Sequence, residues 1–293
     1  MPRNGQTPYN GGMPAQRPSQ TPQPTAPIAG RSIDSADFQT VPRPIAAMAK
    51  DYPDGWLQPR HRHPRAQLVY ASSGVMTITT PHGSWVVPPN RALWIPAEVD
   101  HEIVMAGRVA MRTLYVDPAA ASGLPDTCRV TAVSGLLREL ILRAVEMPLL
   151  YDEHGADARI AALIFDELRL LSTLPLHLPS PTDQRLKRLC AAVARDPGDN
   201  RTLGQWGSAV GASARTLARL FVRETGMTFA AWRAQARLLQ ALSRLANGEK
   251  VTSVALDLGY DSPSAFIAMF RRQLGVTPSR YFAANEMTSA ERV

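Results

Sequence analysis

The 293-residue chain is poor in the residues that mark several large classes of protein. Only two cysteines occur, Cys128 and Cys190, far apart and without the paired spacing of a zinc site. Nothing near the N-terminus resembles a secretion signal, and no apolar run approaches the ~20 residues that span a bilayer. The expectation is a cytoplasmic chain with no membrane partner. No Ser-His-Asp arrangement, phosphate loop or paired-cysteine metal motif stands out, so the common catalytic routes lack their residues. The first 27 residues have almost nothing apolar to bury and hold seven prolines; residues 1–35 are therefore expected to form a disordered, Pro-rich tail.

What the chain does contain is unevenly distributed. Its formal net charge is +7, yet residues 183–283 hold fifteen Lys/Arg against seven Asp/Glu, a net of +8, which leaves −1 for everything else. Local basicity of this kind is what a segment that meets phosphates requires. The length suggests two folded units. From about 45 to 117, short β-branched and aromatic runs separated by Gly and Pro (67–70, 75–79, 85–87, 92–95 and 109–116) read as a small β-barrel or sandwich. Two helical stripes follow, Val133 to Val145 and Ile160 to Leu171, before Pro175, Pro179 and Pro181 mark a linker.

An internal repeat organises the basic third. Leu203, Trp206 and Gly211 recur 48 residues later as Val251, Val254 and Gly259, while Leu217, Phe221, Gly226 and Thr228 recur 49 residues later as Phe266, Phe270, Gly275 and Thr277. Each copy reads as helix, tight turn, helix. Ser213 and Ser262 are expected to cap the second helices, and Pro263 suits a first helical position. The helical pattern between the copies, Thr228 to Ala246, closes at Asn247-Gly248. Glycines at 204 and 207 fall inside the first helix, where each costs up to ~1 kcal/mol; Gly207 is expected to permit close packing, and Gly204 has no evident purpose.

The segments 213–226 and 254–278 resemble the two halves of the AraC/XylS DNA-binding domain of bacterial regulators. That resemblance implies a sequence-specific transcription factor whose partners are double-stranded DNA, a small-molecule effector and RNA polymerase. Carried over, the base-reading positions are Arg215, Ala218 and Arg219 in the first recognition helix, and Ser264, Ala265 and Ala268 in the second. Arginine suits bidentate contact with guanine. The small residues of the second helix suit thymine methyls, with phosphates left to Arg271 and Arg272. Thr216, Arg223 and Ser262 complete the expected DNA-facing set.

In the N-terminal half, His61, His63, Gln67 and Gly74, followed by Pro96 and His101, resemble the two motifs of cupin barrels. Metal-binding cupins place three His and one Glu at the positions of His61, His63, His101 and Gln67; here the Glu position is an amide, a weaker ligand, and the motif's usual Gly is Glu98. Three readings stand open: a divalent metal on His61, His63 and His101; an organic effector held by His61, His63, Gln67 and His101 with Tyr70 and Trp94; or histidines that only support the fold. No cofactor beyond that metal is implied. The expected fold class is α+β and multidomain, with a cupin-like β-barrel over 36–130, a helical linker over 131–182 and an all-α domain with two helix-turn-helix units over 183–286. A homodimer is expected through 131–175. The alternative is a metal-dependent cupin enzyme tethered to a DNA-binding domain.

Overall fold

The computed structural model describes residues 22–170, 173–174 and 176–282. In chain order its elements are β1 (Ile45–Tyr52), β2 (Leu57–His61), β3 (Ala66–Ala71), β4 (Val75–Thr80), β5 (Gly83–Val87), β6 (Arg91–Ile95), β7 (His101–Ala106), β8 (Val109–Val116), β9 (Arg129–Ala132), α1 (Gly135–Ala144), α2 (Ala156–Arg169), β10 (Thr173–Leu174) and β11 (His177–Pro179). Helices follow: α3 (Gln184–Arg195), α4 (Leu203–Val210), α5 (Ala214–Thr225), α6 (Phe229–Ala246), α7 (Val251–Asp257) and α8 (Pro263–Leu274).

The strands form two antiparallel sheets, ordered β1-β8-β3-β6-β9-β10 and β11-β5-β4-β7-β2. Inward residues of both, among them Met48, Val69, Met76, Ile78, Met105 and Tyr115, share one core. The other face of the six-stranded sheet is equally apolar: Leu68, Tyr70, Trp94 and Leu114 pack with Leu137, Ile141, Ile164 and Leu168 of α1 and α2. This double burial explains why β3 reads as an unbroken apolar run rather than an alternating one.

Several expectations need correction. Residues 22–35 are not a loose tail: Thr25 exchanges backbone hydrogen bonds with Asp51, and the Arg31 guanidinium donates to the carbonyls of Glu146 and Met147 at 2.6 and 2.7 Å. Residues 1–21 lie outside the described residues, as do 283–286 at the far end of the basic segment. The 131–182 segment is not wholly a helical linker, because β10 and β11 return to pair with β9 and β5. Pro179 is tolerated there because β11 is an edge strand, where a missing N–H breaks no ladder.

In the helical part, Leu186, Leu189, Trp206, Leu217, Phe221 and Trp232 build a core for α3 to α5 with the start of α6. The Gly207 position is set by crowding. A Cβ there would lie 2.3 Å from the Ala212 carbonyl oxygen, whereas one at Gly204 meets nothing nearer than 3.7 Å. Gly207→Ala is therefore expected to destabilise the chain by about 2 kcal/mol, and Gly204→Ala to stabilise it by up to about 1 kcal/mol. Thermal denaturation of the two variants checks this, and equal shifts would contradict it.

Candidate DNA interface and effector cavity

The first helix-turn-helix is built by reciprocal capping. Thr202 Oγ1 accepts from the Gln205 N–H while Gln205 Oε1 accepts from the Thr202 N–H at 2.8 Å. The turn passes through Gly211 at φ +72°, a left-handed conformation that a side chain resists. Ser213 Oγ then accepts from the Thr216 N–H at 3.1 Å and starts α5. Leu217, Leu220 and Phe221 face inward, and Arg215, Ala218, Arg219 and Arg223 are exposed. Thr216 is half-buried with its hydroxyl 2.9 Å from Ser213 Oγ, so it completes the cap. The second copy repeats the design: Ser262 Oγ accepts from the Ala265 N–H, Pro263 occupies the first turn, and Phe266, Met269 and Phe270 are buried. Ser264, Ala265, Ala268, Arg271 and Arg272 are exposed. Val222, which sequence reading passed over, is also exposed on α5, beside Arg219 and Arg223.

The structure divides the arginines, which no charge count does. Arg185 pairs with Asp183, Arg201 with Asp199, and Arg244 with both Glu249 and Asp257. Arg233 donates to the Arg201 carbonyl, and the buried Arg237 donates to Pro197 and Asn200. Among the described residues Arg215, Arg219, Arg271 and Arg272 make no ion pair, and all four lie on α5 or α8. Arg223 holds only an exposed contact with Glu224. Among the described residues four of the five arginines on the two second helices are thus exposed without an ion pair, as are Lys187, Arg188, Arg195, Lys250 and Arg280 elsewhere in the basic segment.

In the barrel, His61 ends β2 directly across from His101, the first residue of β7. Ring centroids are 4.3 Å apart for His61 and His101, 4.8 Å for His61 and His63, and 5.5 Å for His63 and His101. Burial is the main cause that pushes both His63 and His101 down to about 4, with a hydrogen bond to the Val99 carbonyl partly opposing it at His101. Both rings are therefore neutral at pH 7. Where the cupin motif has its Gly, Glu98 adopts φ +62° and donates its N–H to the His63 carbonyl at 2.8 Å. A non-glycine residue pays about 1–2 kcal/mol for that conformation, which here fixes the loop carrying His63.

Gln67 lies opposite Tyr115, so both side chains leave the same face of the sheet, and the Tyr115 ring is 5.1 Å from that of His63. A cavity of about 290 Å³ is lined by His61, Gln67, Tyr115, Gln58, Lys50 and Ile103, among others. Sequence reading missed Lys50, Gln58 and Tyr115, because strand pairing that brings distant segments together leaves no local mark. Tyr70 and Trp94 are not part of this group. Strand residues alternate faces, Gln67 and Tyr70 are three apart, and Trp94 pairs with Leu68, so both aromatics lie on the opposite side against α1 and α2. Trp94 borders a separate cleft of about 280 Å³ with Leu124, Arg129 and Leu168.

The donor set fits a cation. One ring nitrogen from each of His61, His63 and His101 lies within 4.8 Å of the others, and among the described residues they are the one such group of His, Cys, Asp or Glu. Nε2 of His63, Nε2 of His101 and Oε1 of Gln67 are buried without a hydrogen-bond partner among the described residues.

Comparison with known proteins agrees with both halves of this picture. Residues 206–284 match a helix-turn-helix domain family, and residues 46–197 match the AraC-like ligand binding domain. The HTH-type transcriptional regulator NimR of Escherichia coli is 38% identical over 230 residues, covering 78% of this chain and 84% of NimR. RipA of Corynebacterium glutamicum, also an HTH-type transcriptional regulator, is 34% identical over 103 residues, 35% of this chain and 31% of RipA. Unsaturated fatty acid bound ToxT of Vibrio cholerae aligns at a TM-score of 0.35 and 11% identity, over 81% of this chain and 94% of that one. Among the described residues no helix is long and apolar enough to cross a membrane. With a double helix-turn-helix, a ligand-binding barrel and a relative matched along most of its length, the chain belongs to the AraC/XylS family of DNA-binding transcriptional regulators.

Proposed function

We propose that the chain regulates transcription in the cytoplasm without catalysing a reaction, reading DNA with α5 and α8 and sensing a small molecule in the barrel cavity. Arg215, Ala218 and Arg219 take base edges in one major groove. Ser264, Ala265 and Ala268 take them in the next, with Arg223, Arg271 and Arg272 on phosphates and the two caps, Ser213 with Thr216 and Ser262, presenting the helix starts to the backbone. The observation that carries this reading is the pair of capped, solvent-facing second helices, on which Arg215, Arg219, Arg271 and Arg272 are exposed without an ion pair while Arg201, Arg237 and Arg244 are engaged within the fold. Helix α6, 18 residues long, spans about 27 Å at 1.5 Å per residue, of the order of one turn of B-DNA.

Leu136 of α1 and Leu163 of α2 are exposed, and Leu170 beyond α2 is 78% exposed. This layer is the proposed homodimer face, and contact with RNA polymerase completes the proposed set of partners. The enzyme alternative is disfavoured by the relatives, which are named as regulators.

Sites selected from a random DNA pool test the interface. Arg219→Ala is expected to weaken the selected site by at least about tenfold, in line with the 1–3 kcal/mol of a bidentate base contact, and to weaken random duplex much less. Equal losses on both would make Arg219 a phosphate contact. Base substitutions across the site are expected to matter in two blocks about 10 base pairs apart; sensitivity confined to a few adjacent pairs would overturn the two-groove reading. For the cavity, compounds that raise the melting temperature of the wild-type protein are expected to lose that effect in Gln58→Trp, which fills the cavity from a half-buried position on β2. Undiminished stabilisation would place the effector elsewhere.

A further inference from the structure

We propose that His61, His63, His101 and Gln67 hold a divalent first-row transition-metal cation, and that this cation, its charge uncompensated by four neutral donors, binds the effector through an anionic group. The proposal rests on reading the barrel cavity as the effector site, and adds the chemistry that the effector must carry.

The ring orientations favour ligation. His61 Nδ1 lies 2.6 Å from the Pro59 carbonyl and His101 Nδ1 lies 2.9 Å from the Val99 carbonyl. A carbonyl only accepts, so each Nδ1 carries a proton, and Nε2 is the atom that each ring can offer to a metal. Holding the far nitrogen on a backbone carbonyl is how proteins orient imidazole ligands toward a metal. A buried polar atom left unpaired costs about 1–3 kcal/mol, and His63, His101 and Gln67 each bear one such atom. Nitrogens on one cation at about 2.0–2.1 Å stand closer together than the 4.8 Å found across this group, and His61, half-buried at the end of an edge strand, has the freedom to close that gap.

The fourth donor is an amide for a local reason. Thr113 Oγ1 donates its one proton to the Leu68 carbonyl at 3.0 Å and accepts from Gln67 Nε2 at 2.9 Å. The amide NH₂ is thus spent on Thr113, and Oε1 is left as the free acceptor. A carboxylate in the same place would set an oxygen against the hydroxyl's lone pairs. Three neutral imidazoles and one amide cancel none of the cation's charge. Lys50, on the wall of the same cavity, adds a second positive group: its amine donates to the Ile33 carbonyl at 3.1 Å. The one wall carboxylate among the described residues, Asp34, accepts from the Ala36 N–H and lies close enough to Lys50 to offset its charge, so the charge left over in the cavity is the cation's own. Softer, imidazole-rich sets of this kind suit Zn, Fe, Ni or Cu.

Cobalt(II) added to the metal-stripped full-length chain, followed by its visible absorption, provides the test, with azide as the anionic probe. Wild type is expected to bind about one equivalent, and His61→Ala and His101→Ala to bind at least about tenfold more weakly. His61→Ala, at the half-buried rim, keeps the test meaningful if loss of the buried His101 disturbs folding. Azide is expected to shift the cobalt bands of the wild type, and Gln67→Glu to bind cobalt more tightly while losing at least about tenfold in azide affinity, because its carboxylate neutralises part of the charge. Failure of the wild type to bind cobalt, zinc or nickel overturns the proposal, as does binding that both histidine variants leave unchanged. Cobalt binding with no response to azide overturns the anionic-effector half. The Gln58→Trp measurement is read separately: undiminished stabilisation in that variant removes the cavity as effector site without touching cobalt binding, and a lost stabilisation there stands even if the wild type binds no cobalt.

Discussion

Helix α6 is buried along both halves of its length, and the rest of the architecture depends on that burial. Phe229, Trp232 and Ala236 close the core of the first helix-turn-helix. Leu238, Leu239, Leu242 and Leu245 belong to a core that continues through α7 and α8 into the barrel, and the helix packs against β4, β5, β7 and β11. A buried leucine contributes about 1.5–3 kcal/mol, so the four together are comparable with the net stability of a whole domain, about 5–15 kcal/mol. Neither DNA-reading unit can shift along α6 without exposing part of that surface. Arg237, in the middle of the helix, adds a polar clasp: it holds Pro197 and Asn200 while stacking over Tyr260, so the loop before α4 is pinned beside the turn between α7 and α8.

The same helix lies one sheet away from the cavity. Strand β7 supplies Ile103 to the cavity wall and His101 to the imidazole cluster, and it also packs against α6. The turn between β7 and β8 closes on the end of α6, where a Cβ at Gly107 would lie 3.4 Å from the Asn247 side chain. A ligand therefore needs no long pathway to bias the DNA-reading helices. It must only bind two arrangements of β7 on α6 unequally, and couplings of 1–3 kcal/mol, about 5- to 150-fold in affinity, are typical of such systems.

The helical half was legible because its signals are local. The repeat, the capping serines and the inward stripe of each second helix all act within about ten residues, and the structure places Ser213, Ser262, Phe221 and Phe270 where that pattern requires. The barrel was legible only as a class. Which side of β3 meets the histidines depends on register with β8, and Tyr70 and Trp94 fell on the wrong side because both faces of that sheet are apolar. Periodicity cannot separate two buried faces. Charge misled in a milder way, since the count that marked 183–283 as basic could not tell Arg244, locked between two carboxylates, from Arg219, which faces solvent.

That blindness to register also hides where the molecule has surrendered stability. Apolar side chains at His63, Gln67 and His101 would fill the barrel without orphaned acceptors, and burial already drives both imidazoles neutral. A left-handed Glu98 adds a further cost to hold His63 in place. Residues that only supported the fold would be free to avoid these terms. Groups that meet a ligand are not, because a ligand can satisfy the polar atoms that the fold leaves unpaired. Since the strand carrying His101 rests on α6, a ligand bound at these residues would act where barrel and helical domain share a core.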